Sequence, residues 1–131
     1  MAKTIVDIKI IGMDDAASSK PDHSLGLFNI VLTLSRPAPY EWADYFNSRW
    51  KQHIYMKKRD AYVANDKLTL YCLPEEIQSD HIPELNRIIK ETNKSYKQFL
   101  ASQKLETQLR KQEKKEEKAA LSSLKNKLKF D

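Results

Sequence analysis

The sequence predicts an α+β fold in residues 1–100 and a charged helical or partly disordered tail in residues 101–131. Four short segments alternate apolar and polar side chains, and two longer ones repeat apolar side chains at helical spacing. Their order is ββαββα. It predicts a four-stranded, mainly antiparallel sheet with both helices on one face.

Thr4–Ile11 reads as the first strand, with Val6, Ile8 and Ile10 on one face and Asp7 and Lys9 on the other. Leu25–Ser35 repeats the pattern through Phe28, Ile30, Leu32 and Leu34, with Asn29 and Thr33 opposite. Between them Gly12–Ser24, rich in Asp, Ser and Ala, is expected to be a long mobile loop joining an antiparallel pair. Arg36-Pro37-Ala38-Pro39 ends the second strand, because proline has no N–H for a ladder, and Pro39 suits a helix start. Trp42, Tyr45, Phe46, Arg49 and Trp50 then form a stripe down one side of a helix.

Ala61–Ala64 and Lys67–Cys72 flank Asn65-Asp66, two residues that tolerate a left-handed backbone, so a hairpin is predicted. In that register Val63 faces Leu68 and Ala61 faces Leu70, while Tyr62, Thr69 and Tyr71 line the opposite face. Ser79 or Asp80 is expected to cap the next helix, with Pro83 in its first turn. Its stripe is Ile82, Leu85, Ile89, Thr92, Tyr96, Phe99 and Leu100. Leu105 and Leu109 continue a face. Arg110–Lys118 then offers no apolar side chain, which disfavours a long coiled coil.

The composition locates the charge. Of 131 residues, 40% are apolar and 31% charged, with a net charge of +5. Residues 1–100 hold 14 cations and 13 anions, a net of +1, and residues 101–131 hold 9 and 5, a net of +4. The basic character belongs mainly to the tail. The single cysteine, Cys72, excludes an internal disulfide and a multi-cysteine zinc site. Asp7 and Lys9 interrupt the apolar N-terminus, which is unlike an export signal, and no apolar run has the length of a membrane span. A cytoplasmic protein without membrane attachment is expected. The sequon Asn93-Lys94-Ser95 lies in a predicted helix and reads as a chance match.

No catalytic, cofactor or metal constellation emerges. His23, His53 and His81 lie on separate segments, without a second ligand at the spacing a metal site on one element uses. They read as surface or capping groups. Cys72 falls on the predicted core face, where cysteine behaves as a small hydrophobe. A pairing with His53 or His81 has no local signature. The doublets Asp14-Asp15 and Glu75-Glu76 point to different sides and are explained by solvation.

Binding surfaces remain. Arg49, Lys51, Tyr55, Lys57, Lys58 and Arg59 mix cations with an aromatic ring, a composition suited to nucleic acid. Leu121, Leu124 and Leu128 make a short stripe in the basic tail, suited to docking on a partner's groove or on a second copy. Tyr62, Thr69, Tyr71, Asn29 and Thr33 would line the uncovered sheet face. The expectation is a non-enzymatic interaction or regulatory module whose tail docks on a protein partner or a second copy. The alternative is a nucleic-acid binder using the 49–59 cluster and the lysine-rich tail.

Overall fold

The structure is a computed structural model that describes residues 7–21 and 26–129. Strands β1 (Ile10–Met13), β2 (Phe28–Leu34), β3 (Ala61–Ala64) and β4 (Lys67–Cys72) form one antiparallel sheet in the order β1-β2-β4-β3. Helix α1 spans Tyr40–Gln52 and helix α2 spans Ile82–Lys127. This is the α+β architecture that the alternating and helical stripes predict.

The hairpin register is the expected one. Val63 pairs with Leu68, Ala61 with Leu70 and Tyr62 with Thr69, around a turn in which Asn65 holds φ 55°. With β2 and β4 also in phase, Ile30, Leu32, Leu34, Leu68, Leu70, Cys72 and Val63 share one buried face. On it lie Trp42, Phe46 and Trp50 of α1 with Leu85, Ile88 and Ile89 of α2. Trp42, Phe46 and Trp50 stack in a column, at centroid separations of 5.9 and 6.0 Å and nearly parallel planes. Such contacts stabilise beyond the buried area alone.

Two asparagines pair with outward backbone groups, one on edge strand β3 and one just before β1. Asn47 of α1 accepts a hydrogen bond from Val63 N–H (2.8 Å) and donates to Val63 C=O (3.2 Å). Asn93 of α2 does the same for Ile8, accepting from its N–H (3.0 Å) and donating to its C=O (2.9 Å). Each amide stands in for a neighbouring strand's peptide group, so those outward backbone groups are satisfied. Asn93 Oδ1 also accepts from the Trp42 indole N–H at 2.9 Å.

Three expectations need correction. The first strand begins at Ile10 and runs to Met13, with a register shift between Ile10 and Gly12; Ile8 is buried but bonded to Asn93 rather than to a strand. Thr4, Val6 and Leu25 lie outside the described residues. The stretch after Gly12 is pinned where it is described. Asp14 N–H donates to Val31 C=O, Ser18 Oγ accepts from Val31 N–H, and Ser19 bridges Asn29. The Ala17 N–H, aided by Lys67, holds the Asp14 carboxyl below its usual range. Finally, winding toward α2 begins at Pro74, through a 3-10 turn (Pro74–Glu76) and a π turn (Ile77–His81). Ser79 and Asp80 therefore lie inside the winding and cap nothing. Pro83 has no N–H for the Ser79 carbonyl, and the Ile82 N–H reaches Ile77 C=O instead.

The chain divides into two compact units between Lys97 and Gln98. Asn93→Ala should lower stability by about 2–3 kcal/mol. It removes three hydrogen bonds and leaves the buried Trp42 N–H unpaired. A urea midpoint that falls at unchanged m-value checks this, with Asn93→Asp intermediate because it keeps the acceptor.

Candidate functional site

Helix α1 ends because His53 turns extended, at φ −76° and ψ 127°. The last carbonyls of a helix have no intrahelical partner, and the Lys58 ammonium takes two of them, those of Trp50 and Lys51. The connection 53–60 is then bound down at alternate positions. His53 Nε2 meets Glu84 Oε2 at 2.8 Å, and the Tyr55 hydroxyl meets His81 Nδ1 at 2.8 Å. Arg59 donates to Glu76 Oε1 (3.1 and 3.3 Å), while its carbonyl accepts from the Trp50 indole N–H (2.9 Å). Lys57 takes a left-handed φ of 62°, which costs a β-carbon-bearing residue energy, and stands 3.5 Å from Asp80.

This accounts for the predicted basic cluster residue by residue. Arg49 is half-buried and donates to Ser95 Oγ. Tyr55 is packed between Trp50 and His81, Lys58 caps α1, and Arg59 is paired with the buried Glu76. Lys51 and Lys57 alone are exposed. The structure brings these residues together, but most of their charge points at carbonyls, hydroxyls and carboxylates of the same unit. What the connection presents outward is Ile54 and Met56, each 87% exposed.

The interior side holds the titratable groups. Burial raises the Tyr55 hydroxyl to about 12 and the Cys72 thiol to about 11, so both stay protonated. A buried, protonated thiol is neither accessible nor nucleophilic. Cys72 is fully buried, and His53 and His81 are bonded to Glu84 and Tyr55 instead. His81 is fully buried, and desolvation holds its pKa below the ordinary value against the opposing pull of Glu76 and Asp80. Whichever tautomer it adopts, Nε2 has no partner among the described residues. His23 lies outside those residues. Among the described residues no three His, Cys, Asp or Glu side chains are placed to hold a metal ion.

The uncovered sheet face carries Tyr62, more than half exposed, beside half-exposed Tyr71, Thr69, Asn29 and Thr33. Val31, on that same face, is buried.

In the second unit every described residue from Ala101 to Lys129 is exposed, including Leu105, Leu109, Leu121, Leu124 and Leu128. At about 100° per residue the helix sorts its charges. Lys104, Arg110, Lys111, Lys114, Lys115, Lys118 and Lys125 fall within about 140° of the circumference. Glu106, Glu113, Glu116 and Glu117 fall within about 100° on another side, and Lys127 is the single cation there. Between them Leu105, Gln108, Gln112, Ala119 and Ser123 form an uncharged strip. Sorting of this kind stacks like charges at i, i+4: Arg110 on Lys114 on Lys118, Lys111 on Lys115, and Glu113 on Glu117. Each such pair costs an isolated helix about 0.2–0.5 kcal/mol. Glu106–Arg110, at 2.6 Å, is the one ion pair among these described residues. The signal was available in the sequence, through the wheel rather than the charge count.

Tyr55→Phe should destabilise the first unit by about 1–3 kcal/mol, since it strips His81 of its remaining hydrogen bond. Ile54→Ser and Met56→Ser should each stay within about 0.5 kcal/mol of the parent. Because the folded state holds the His81 pKa below 6.5, its contribution to stability is complete above that pH. It is lost as pH falls through 6.5 toward the folded-state value. Urea midpoints between about pH 8 and 5 should therefore fall, and more shallowly in His81→Leu.

Compared with protein-family models, curated proteins and solved structures, the chain matches none of them.

Proposed function

We propose that this protein is a non-enzymatic interaction module whose C-terminal helix docks on a partner or on a second copy. The observation that carries the reading is the exposure of the whole helix from Ala101 onward, with Leu105, Leu109, Leu121, Leu124 and Leu128 uncovered. Helices in proteins draw most of their stability from packing an apolar face, and nothing described in this unit supplies that packing. A binding event would.

The first unit supports the reading from the other direction. Its Cys72 and Tyr55 stay protonated, its His53 and His81 are bonded to Glu84 and Tyr55, and its connection 53–60 is tied down by contacts that serve folding. No described helix is long and apolar enough to cross a membrane. A cytoplasmic location, with Cys72 a free thiol, belongs to this reading.

The test is a chain ended after Gln103, compared with the full chain by light scattering over a concentration series and by urea unfolding. Exposed residues contribute little to the core, so the shortened chain should unfold cooperatively with a midpoint close to the parent's. Self-association or capture of a partner should need the missing helix. A shortened chain that fails to fold, or that keeps every association of the full chain, would remove the reading.

A further inference from the structure

We infer that the basic sector of the C-terminal helix is a contact face for the phosphate backbone of a nucleic acid. The inference rests on the preceding reading only in taking this helix as a docking element, and it names the partner's chemistry. Lys104 to Lys125 spans about 32 Å of helix at 1.5 Å per residue. Within that length Lys104, Arg110, Lys111, Lys114, Lys115, Lys118 and Lys125 face one side, and no carboxylate interrupts them. All are exposed, and only Arg110 is engaged in an ion pair.

The choice among anionic partners follows from what the sector lacks. Protein interfaces draw affinity from buried aromatic and apolar anchors, and this sector has no aromatic and only Leu121 and Leu128 at its edge, near the end of the helix. A helix lying in a lipid surface needs a continuous apolar face beside its cations. Here one flank is uncharged and largely polar and the other acidic; Leu121, Leu124 and Leu128 border the lysines on that second flank over the last two turns alone, and Leu105 and Leu109 lie on the side away from them, so no apolar face is continuous. A phosphate backbone asks for neither feature. It binds arrays of cations through release of its own counterions, and duplex DNA presents a charge about every 1.7 Å of axis. Glu113, Glu116 and Glu117 would face solvent in such a complex. The cationic rows at i, i+4, costly in the free helix, would then be neutralised across the contact.

The experiment measures anisotropy of a labelled duplex of about 20 base pairs and of a single-stranded RNA, with the full chain, from about 25 to 200 mM salt. Three variants are compared. One is Lys111→Gln/Lys114→Gln/Lys118→Gln, which empties the centre of the sector. Another is Lys9→Gln/Lys90→Gln/Lys94→Gln, which removes the same charge from exposed sites in the first unit. The last is Lys111→Arg/Lys114→Arg/Lys118→Arg, with helicity followed by circular dichroism.

The expected result is binding that weakens steeply with salt. The sector variant should lose at least about tenfold in affinity and about 2.7 from the DNA log–log salt slope, at about 0.9 per contact. The first-unit variant should bind as the parent does, and the arginine variant should retain binding whether or not the glutamines disturb the helix. Absence of binding at the lowest salt overturns the inference. So does equal loss in the first-unit variant, which would mark net charge alone as the cause, or capture by phosphatidylserine vesicles in place of either nucleic acid. Helix-dependent self-association without nucleic-acid binding overturns it and leaves the interaction reading standing. No helix-dependent association of any kind removes both.

Discussion

Burying two tryptophans on one face of a helix imposes a requirement that organises the rest of the first unit: each indole N–H must find an acceptor inside. Trp42 finds Asn93, and Trp50 finds the carbonyl of Arg59. The first bond ties α1 to α2 and, through the same oxygen and the nitrogen of that amide, to the backbone of Ile8. The second ties α1 to the connection leading into β3. Between them Phe46 fills the column, so one helix face both supplies the largest buried side chains and fastens three other segments. An unpaired N–H at either end would cost the desolvation of a buried donor, which makes this arrangement hard to alter piecemeal.

The cations of segment 49–59 illustrate how charge is consumed by structure. A helix C-terminus offers unpartnered carbonyls and a negative dipole end, and Lys58 folds back onto them. A buried carboxylate requires a counter-charge, and Arg59 supplies it to Glu76, whose same oxygen also accepts from Leu73 N–H. The ring column extends by edge contacts from Trp50 through Tyr55 to His81, which leaves Ile54 and Met56 facing out on a tied-down turn. A composition that suits nucleic acid is here largely taken up by internal contacts, with Arg49 Nη1 and His81 Nε2 left without a partner among the described residues.

The C-terminal helix presents the opposite economy. Its charges satisfy nothing within the described fold apart from one ion pair and the Gln112–Glu116 hydrogen bond. They are sorted by sign around the axis where alternating signs would have favoured the isolated helix. Sorting spends local stability on a directional surface. The proposed docking role of the helix rests on that contrast between the 49–59 segment, where most cations are absorbed, and the helix, where they are displayed.

The sequence by itself determined the fold class, the hairpin register, the Trp42–Trp50 stripe, the Leu85, Ile89 and Thr92 part of the second stripe (Ile88, also buried, was missed) and the helical tail. Each follows from a local period of two or about 3.6, and burial on one side enforces the period. Cys72 was legible as a core residue for the same reason. What only the tertiary structure decided was the destination of the polar groups. Asn47 and Asn93 resemble any helix-surface amide in sequence, yet each pairs with the backbone of a segment far away in the chain. The same holds for Lys58, Arg59, His81 and the start of winding at Pro74. Hydrogen bonds join donors to acceptors across space without leaving a periodic trace. Apolar burial, which is non-directional, does leave one.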